Sequence, residues 1–519
     1  TEKERMPKYR TILESLFRQL TGDEKRYLDG LYARIVFITT EYNTPPEVKD
    51  LAHHLRQFAN DVVHQMDFPA GPSDDARCLY ALASVIAHFS RTDIPEQIRQ
   101  SYAPFQAGFA TVFQRPKPKT PTYNFRAIVR DVKVFPKTAG KNHCAIVCDT
   151  DEHGTISISF WDNRQPDGFG SDLSGVHDFL RPYCTIYITG VKPYANRDGE
   201  YHATESTLLV LEPDYLIEAK ELAECCQPQG DNPLLHLLNR FTKGEITDKM
   251  MVGNISGQML DDLATEPKPD YKASFDKVMR NNSFGMLCMA HQEGMYRRET
   301  IQTVYEAGAR LEPTIRHALG TFEGKQLVIE PTFISDKYGL QGRLDLLLES
   351  TDDPLRKDIV EMKSGNYHAT GLFPNHEAQA LAYSLLLEST FPGRYGLSAI
   401  LYAKAAPAEN PLRAVREDSP LRKQALLLLR NRIVANELRL AAGDTTPFDD
   451  IQPDTFGPAP SFKTADVAAF HQALQDASPL MRAWFFGFTR FIFREMQTAK
   501  TGNPNNPDDA GGFSALWRA

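Results

Sequence analysis

Long apolar runs, paired cysteines and an excess of positive charge are all missing from this sequence. No stretch approaches the roughly 20 apolar residues that a transmembrane helix needs, and the charged N-terminus lacks the apolar core of a signal peptide. The seven cysteines show no disulfide-type spacing, which favours a reducing compartment. These absences predict a cytoplasmic protein with no membrane partner.

Two further absences concern nucleotides and polyanions. No G-x-x-x-x-G-K-[ST] motif occurs, so we expect no P-loop and no ATPase activity from this chain. The formal net charge of −9 argues against polyanion binding by the whole surface, although a local basic groove is compatible with it. The chain begins with threonine rather than methionine, and we expect it to be a piece of a longer protein.

The length of 519 residues leaves room for about three domains. Helix-period apolar spacing predicts a helical N-terminal domain over residues 1–115, and the Pro- and Lys-rich residues 115–121 predict a linker. Residues 122–216 are rich in β-type sequence and predict an OB-like β-barrel. Its five predicted strands are 123–135, 143–150, 155–161, 185–191 and 204–211.

The predicted barrel has two interpretations that remain equally open. Small barrels of this kind often bind single-stranded nucleic acid through exposed aromatic and basic side chains. Lys192, Tyr194 and Arg197 are candidates for such a site near the rim. The alternative is a barrel that only supports its neighbour.

Residues 217–480 contain a hairpin-like stretch with three acidic or basic positions of interest. Predicted strands at 328–334, 340–348 and 358–362 place Asp345 on one strand and both Glu361 and Lys363 at the next. Residues two apart on a strand share a face, so Glu361 and Lys363 project together, and strand pairing can bring Asp345 beside them.

Two carboxylates and an ammonium group on one sheet face suit metal-dependent phosphodiester chemistry. Carboxylate oxygens bind Mg²⁺ or Mn²⁺, and a lysine beside them can orient the attacking water or offset transition-state charge. The predicted metal ligands are Asp345, Glu361, the backbone carbonyl of Met362 and, on the adjoining strand, Glu330. The simple alternative is an exposed Glu–Lys ion pair without a catalytic role.

A predicted helix follows, on which His376, Gln379 and Tyr383 are spaced i, i+3 and i+7 and therefore share one face. The order GRLD, EMKSG and QALAY resembles the RecB-like branch of the PD-(D/E)XK nucleases. That resemblance implies a restriction-endonuclease-like α/β core in which Asp345, Glu361 and Lys363 are catalytic. It also implies that Gln379 and Tyr383 contact DNA; we add Arg343 and His376 as DNA-binding candidates.

The larger pattern, a barrel followed by helices and then these motifs, is similar to the nuclease half of the DNA-replication ATP-dependent helicase/nuclease family. The similarity implies that a helicase domain is missing from this chain and that residues 481–519 lead toward it. Two departures stand out: the helix segment 253–257 (GNISG) lacks the family's metal-binding histidine, and no cysteine follows Cys288. We therefore expect no iron–sulfur cluster of the family's Cys₄ type.

These observations predict a divalent-metal-dependent DNA nuclease that acts on single-stranded or flapped DNA. A second hypothesis is a non-catalytic module in which a degenerate nuclease fold only guides a DNA strand, and the absent histidine favours it. A third and weaker hypothesis is an RNA-processing enzyme.

Overall fold

The structure is a computed structural model that forms two compact units. The first unit contains Thr1–Leu216, Pro420–Thr445 and Pro479–Ala519, and the second contains Ile217–Ser419 and Thr446–Ser478. The described residues are 2–22, 24, 28, 30–42, 44–64, 71–103, 122–138, 141–163, 173, 175–195, 197–242, 247–266, 269–283, 298–322, 324–368, 371–415 and 420–502. The predicted linker at 115–121 lies outside them.

The described helices and strands alternate between helical and β-rich segments along the chain. The α-helices are α1 Glu2–Leu20, α2 Gly30–Glu41, α3 Pro46–His64, α4 Pro72–Ser90, α5 Glu96–Tyr102, α6 Ala219–Ala223, α7 Leu234–Phe241, α8 Asp248–Thr265, α9 Tyr271–Asn281, α10 Arg298–Ala309, α11 Glu312–Gly320, α12 Pro374–Thr390, α13 Pro420–Ala442, α14 Thr464–Asp476 and α15 Pro479–Thr501. The strands are β1 Tyr123–Thr138, β2 Lys141–Thr150, β3 Gly154–Asn163, β4 Thr185–Pro193, β5 Glu200–His202, β6 Leu208–Leu211, β7 Ile217–Glu218, β8 Cys226–Gln227, β9 Gly230–Asp231, β10 Lys325–Ile329, β11 Thr332–Ser335, β12 Leu340–Arg343, β13 Leu346–Ser350, β14 Lys357–Lys363, β15 Ser398–Tyr402 and β16 Leu412–Val415. Across the part of the chain that the structure describes, no helix is both long and apolar enough to cross a membrane.

The N-terminal helices and the β-rich segment of the first unit share one hydrophobic core. Its members come from α1 to α4, together with Ile128 on β1 and Tyr183 just before β4. Polar contacts reinforce this packing: Lys49 forms an ion pair with Asp149 at 2.8 Å, and the Tyr32 hydroxyl donates to the Asp149 carbonyl. The helices at 1–115 and the strands at 122–216 therefore form a single unit in the structure.

The β-rich segment closes on itself. β1 pairs with β2 and β4, β2 with β3, β3 with β5, and β5 with β4, so the pairings return to β1 and form a ring of five strands. β3 and β5 run parallel, and the other neighbours in the ring run antiparallel. β6 extends the sheet beyond β4.

The predicted strand at 204–211 was wrong at its start. The structure forms β5 earlier, at 200–202, and β6 begins only at Leu208. Between them Thr204 and Thr207 bend the chain, because both hydroxyls donate to the carbonyl of Gly190 and the Thr204 amide donates to the Thr207 hydroxyl. Hydroxyl side chains that bond to nearby backbone groups compete in this way with strand pairing.

α13 belongs to the first unit and contributes a fully buried arginine. The guanidinium of Arg430 donates to the backbone carbonyls of Leu211, Glu212 and Tyr215, and its burial lowers its pKa to about 9. Residues 420–445 therefore belong to the first unit and not to the domain predicted over residues 217–480. The other predicted boundary, after residue 216, coincides with the division between the units.

The second unit is built around a five-stranded mixed sheet in the order β10-β13-β14-β15-β16, in which only β14 and β15 run parallel. Val360 and Met362 on β14 join a core with α8 to α11 on one face. α12 packs on the other face, where Ala380 meets Ile400 and Tyr402 of β15. The alternation along β14 therefore turns Glu361 and Lys363 toward α12.

The prediction of a hairpin with two continuous strands was wrong, because neither strand is continuous in the structure. The strands predicted at 328–334 and 340–348 are each interrupted, and their halves belong to two different sheets. At the interruption Glu330 has a left-handed φ of 47°, its amide donates to the Asp345 carbonyl, and the Leu344 amide donates to the Pro331 carbonyl. Asp345 therefore lies at a bend between β12 and β13.

Candidate active site

The bend after β12 brings Asp345 beside the β14 residues that the sequence analysis selected. In the antiparallel pairing of β13 with β14, Leu346 is opposite Val360, so Asp345 comes next to Glu361. The Asp345 Oδ2 atom accepts a 2.7 Å hydrogen bond from the Met362 amide. The two predicted catalytic carboxylates thus share one site, in which Glu361 is 4% exposed and Asp345 is half-buried.

Lys363 completes the group through a chain of short hydrogen bonds. Its Nζ atom donates to Glu361 Oε1 and to Gln379 Oε1, both at 2.7 Å. The Gln379 amide nitrogen donates to Glu361 Oε1 at 2.8 Å and to the Tyr383 hydroxyl at 2.9 Å, and that hydroxyl donates to the Arg343 carbonyl. The network fixes the lysine and Glu361 to α12, and fixes α12 to the end of β12.

The electrostatics of the site centre on Asp345. Burial, followed by the charge of Glu361, raises the pKa of Asp345 to about 8, although the Met362 amide and Lys363 act in the opposite direction. Two carboxylates in a poorly hydrated site repel each other, and the protonated form of one of them is favoured. A bound cation would remove that repulsion.

The donor set fits a divalent cation. The Oε2 atom of Glu361 is buried and accepts no hydrogen bond from an N–H or hydroxyl group of the described residues, while the Asp345 carboxyl group lies within hydrogen-bond reach of Glu361. Buried polar atoms are normally satisfied, and a leftover carboxylate oxygen next to a second carboxylate is what a hard cation would bind. Asp345 and Glu361 would hold such a metal, and the Met362 carbonyl stays a predicted ligand.

The other predicted ligand, Glu330, is engaged elsewhere. Its Oε2 atom accepts a 3.0 Å hydrogen bond from Arg343 Nη1, and both side chains are well exposed. The structure therefore brings Glu330 to the backbone of Asp345 without directing its carboxylate to the Asp345–Glu361 pair. Arg343, a predicted DNA-binding residue, presents its guanidinium at the surface, where it is 62% exposed.

The structure changes the role assigned to Gln379 and Tyr383. Both were predicted to contact DNA, but they are 4% and 2% exposed, and their polar atoms are used inside the hydrogen-bond network. A buried amide and phenol that touch Lys363, Glu361 and the Arg343 backbone are positioning residues. They are not available to a phosphate at the surface.

The His376 side chain is also packed against neighbouring side chains. Its Nδ1 atom lies 3.0 Å from the Tyr402 hydroxyl, and its ring meets Phe373 edge-on. Burial, followed by the nearby charge of Lys363, lowers the pKa of His376 to about 4. The ring is therefore uncharged at neutral pH, which removes the electrostatic part of its predicted contact with DNA.

Gly342, the first residue of the GRLD motif, is required by this packing. A Cβ atom at position 342 would lie 2.8 Å from the Tyr383 ring and 3.1 Å from the Ala219 side chain. No real Cβ tolerates such a distance, so the glycine allows Tyr383 to approach the backbone of Arg343.

Sequence reasoning missed Asp261 on α8. Burial, followed by the charges of Glu330 and Asp262, raises the pKa of Asp261 to about 6. The same helix passes the end of β14, where a Cβ on Gly253 would lie 3.6 Å from Ser364 Oγ. Gly253, Gly257 and Asp261 are spaced i, i+4 and i+8, so they lie on one face of α8.

The ring of strands in the first unit carries an exposed aromatic row that sequence reasoning also missed. Phe135, His143 and Trp161 are cross-strand neighbours on β1, β2 and β3, with ring centroids 6.0 and 5.1 Å apart. Phe135 and Trp161 are 45% and 47% exposed. Pairing register was needed to find the row, because its members are eight and eighteen residues apart in sequence.

Two of the predicted rim candidates adjoin this row. The Tyr194 hydroxyl is 2.8 Å from Ser159 Oγ, two residues before Trp161 on the same outer face. The Arg197 guanidinium lies over the Tyr194 ring at 5.6 Å. Lys192 is exposed on β4 beside His202. We define the aromatic face as Phe135, His143, Trp161, Tyr194 and His202.

No model of a known protein family matches this chain, and no curated protein matches it either. The functional conclusion therefore depends on the geometry and chemistry of the site.

Proposed function

We propose that this chain is a divalent-metal-dependent deoxyribonuclease that hydrolyses phosphodiester bonds in single-stranded or flapped DNA. The observation that carries the proposal is the close pair of Asp345 and Glu361 carboxyl groups, with Lys363 Nζ donating to Glu361 Oε1 at 2.7 Å. A second acid beside the Glu361–Lys363 pair, with its pKa raised by burial and by Glu361, is more typical of a functional site than of a simple ion pair. The mixed sheet with α12 on one face supports a restriction-endonuclease-like core.

The residues divide the chemistry between them. Asp345 and Glu361 would hold Mg²⁺ or Mn²⁺, and the metal would polarise the scissile phosphate and lower the pKa of a bound water. Lys363 would orient the attacking water and offset the charge that develops on the phosphate oxygens. Gln379 would keep Lys363 and Glu361 in register, since it bonds to both. Arg343 would contact the DNA backbone from the surface.

The proposal extends to the setting of the enzyme. The ring of strands with its parallel β3–β5 pair supports an OB-like barrel in the first unit. We further propose that the chain acts in the cytoplasm, as its unpaired cysteine pattern indicates, and together with a helicase domain, as the resemblance implies.

The test is cleavage of labelled single-stranded, flapped and duplex DNA by the purified chain in Mg²⁺, Mn²⁺ or EDTA. We expect cleavage in either metal and none in EDTA. Asp345→Asn and Lys363→Met should abolish it, whereas Asp352→Asn, in the exposed turn between β13 and β14, should cut at the wild-type rate. Cleavage that survives in EDTA, or in Lys363→Met, would overturn the proposal.

A second function, guiding a DNA strand without cutting it, is favoured by one observation, the aromatic face. Bases stack on exposed aromatic rings regardless of sequence, which suits a guide as well as an enzyme. Tight binding of single-stranded DNA by a chain that never cleaves in any metal would favour this second function.

A further inference from the structure

The first unit contains a compact cluster of metal-type ligands that the proposed nuclease chemistry does not use. Cys144 on β2, Asp162 on β3 and His177 just before β4 each offer a ligand atom, and these atoms all lie within 4.8 Å of one another. Cys144 and Asp162 are completely buried, and His177 is partly buried. Thiolate, imidazole and carboxylate together are the donor set that zinc uses in proteins.

Strand register builds two of the three positions. Cys144 pairs with Phe160, so Cys144 and Asp162 point to the same inner side of the ring, two residues apart diagonally. His177 comes from the short 3₁₀ helix Val176–Asp178, and the Gly175 amide fixes the carboxylate by donating to Asp162 Oδ1 at 3.2 Å. That bond leaves Oδ2 facing the imidazole, with His177 Nδ1 at 3.0 Å.

The second ring nitrogen of His177 has a carboxylate partner, as metal-bound histidines in zinc proteins usually do. Nε2 of His177 lies 3.3 Å from Asp178 Oδ1. A metal-bound histidine usually donates its other N–H to a carboxylate, which fixes the tautomer and makes the ring a better ligand. Here that arrangement directs Nδ1 toward Asp162 and Cys144.

We propose that Cys144, Asp162 and His177 bind a Zn²⁺ ion, with a water molecule as the fourth ligand and Asp178 positioning the histidine. Ligands at about 2.0 to 2.3 Å from a tetrahedral zinc lie roughly 3.3 to 3.8 Å from each other, so a pair of ligand atoms at the observed limit of 4.8 Å has to close by about 1 to 1.5 Å. Zn²⁺ is preferred over Mg²⁺ because a thiolate and an imidazole are poor ligands for a hard cation. The ion would tie β2, β3 and the turn before β4 together.

The test is the zinc content of the full chain purified without chelator, measured by elemental mass spectrometry. We expect one zinc per chain in the wild type and in Asp345→Asn, which separates this ion from any metal at the candidate active site. Cys144→Ala and His177→Ala should each lose the zinc. Cys148→Ala should keep it, because Cys148 is equally buried four residues along β2 but lies outside the cluster.

Two further measurements keep the proposal testable if a ligand variant folds poorly. Asp178→Asn should weaken zinc affinity about 10- to 100-fold with little loss of folded protein, as expected for a residue that positions a ligand. Co²⁺ in place of zinc should give a thiolate-to-metal charge-transfer band in wild type that is absent from Cys144→Ser. A wild-type chain that holds no zinc and shows no such band would overturn the proposal and leave the cluster a buried Asp–His pair.

Discussion

The carboxyl groups of Asp345 and Glu361 lie close together, with little water to screen their charges. Burial and Glu361 together raise the pKa of Asp345 to about 8, far above the ordinary value for an aspartate, about 3.9. The protonated acid is therefore the stable form of the metal-free site at neutral pH. A divalent cation has to displace that proton in order to bind both carboxylates.

The first prediction concerns this proton. Since the folded-state pKa is raised, the stabilisation from protonated Asp345 is complete below about pH 4 and is lost as the pH rises through about 8. Mg²⁺ binding should therefore release a proton, and its affinity should rise about tenfold per pH unit up to about pH 8. Calorimetric titration at pH 6, 7 and 8 measures this slope.

The matched control is Glu349→Gln, an acid on β13 that pairs with Lys357 away from the site. It should show the wild-type slope, whereas Asp345→Asn should bind Mg²⁺ weakly at every pH. A wild-type affinity that does not change between pH 6 and 8 would contradict a shared proton at the pair.

The second prediction separates positioning from DNA contact. Tyr383→Phe removes the hydroxyl that accepts from Gln379 and donates to the Arg343 carbonyl. Two buried polar groups lose a partner, which should lower the free energy of unfolding by about 1–3 kcal/mol. Because Gln379 then holds Lys363 and Glu361 less firmly, kcat should fall while KM for DNA stays constant.

Tyr402→Phe is the control for this experiment. Tyr402 is a fully buried phenol on β15 whose hydroxyl contacts His376 but not the Lys363 network. It should cost similar stability with an unchanged kcat. A rise in KM with normal kcat in Tyr383→Phe would instead restore the DNA contact predicted from the sequence.

At the scale of elements, α8 borders the site without providing a metal ligand from its first half. Its Gly253 approaches Ser364 just after β14. Two turns later, burial and the charge of Glu330 raise the pKa of Asp261. Gly257 lies between them on the same face, and a Cβ there would have no neighbour within 4 Å. The helix therefore has room for a larger side chain at position 257.

The third prediction uses that room. Gly257→His adds an imidazole to this open face of α8, and an imidazole within reach of the metal should strengthen Mn²⁺ binding more than Mg²⁺ binding, since Mn²⁺ is the less hard of the two cations. Gly257→Ala is the matched control, because it raises helix stability by about 0.5–1 kcal/mol without adding a ligand. Isothermal titration of Mn²⁺ and Mg²⁺ compares the three proteins. Equal Mn²⁺ affinity in both variants would place position 257 away from the metal.

The elements also show what the sequence could and could not predict. Alternation along β14 correctly indicated that Glu361 and Lys363 share a face. The predicted pairing of neighbouring strands correctly indicated that Asp345 lies beside them. The bend at Glu330 could not be predicted, because a left-handed glutamate leaves no mark in an alternating pattern. The burial of Gln379 could not be predicted either, since it depends on how closely α12 packs on the sheet.

At the scale of the whole molecule, the two units are not continuous in sequence. The chain crosses between them after residues 216, 419, 445 and 478. α13 therefore returns to the first unit after the β16 strand of the second, and its buried Arg430 satisfies three carbonyls between residues 211 and 215. The boundary after residue 216 agrees with the prediction, but the other three depend on three-dimensional contacts, so a prediction that assigns consecutive residues to each domain cannot reproduce them.

The whole chain has a net charge of −9, so any attraction to DNA has to come from local features. The aromatic face is such a feature, because stacking does not depend on net charge. Its rings form a cross-strand row, with the Arg197 guanidinium at the Tyr194 ring. Ring stacking discriminates between unpaired bases, which can reach the rings, and duplex bases, which are already stacked.

The last prediction follows from that discrimination. Trp161→Ala should weaken binding of single-stranded DNA by about 1–3 kcal/mol, the usual contribution of one stacked base, and should leave duplex binding unchanged. Trp484→Ala on α15 is the matched control: its side chain is 66% exposed, more than that of Trp161, but it lies outside the aromatic face. Fluorescence anisotropy with an EDTA-treated sample measures binding without cleavage. If the two variants lose affinity equally, the effect belongs to exposed tryptophan in general, and the face has no part in holding the strand.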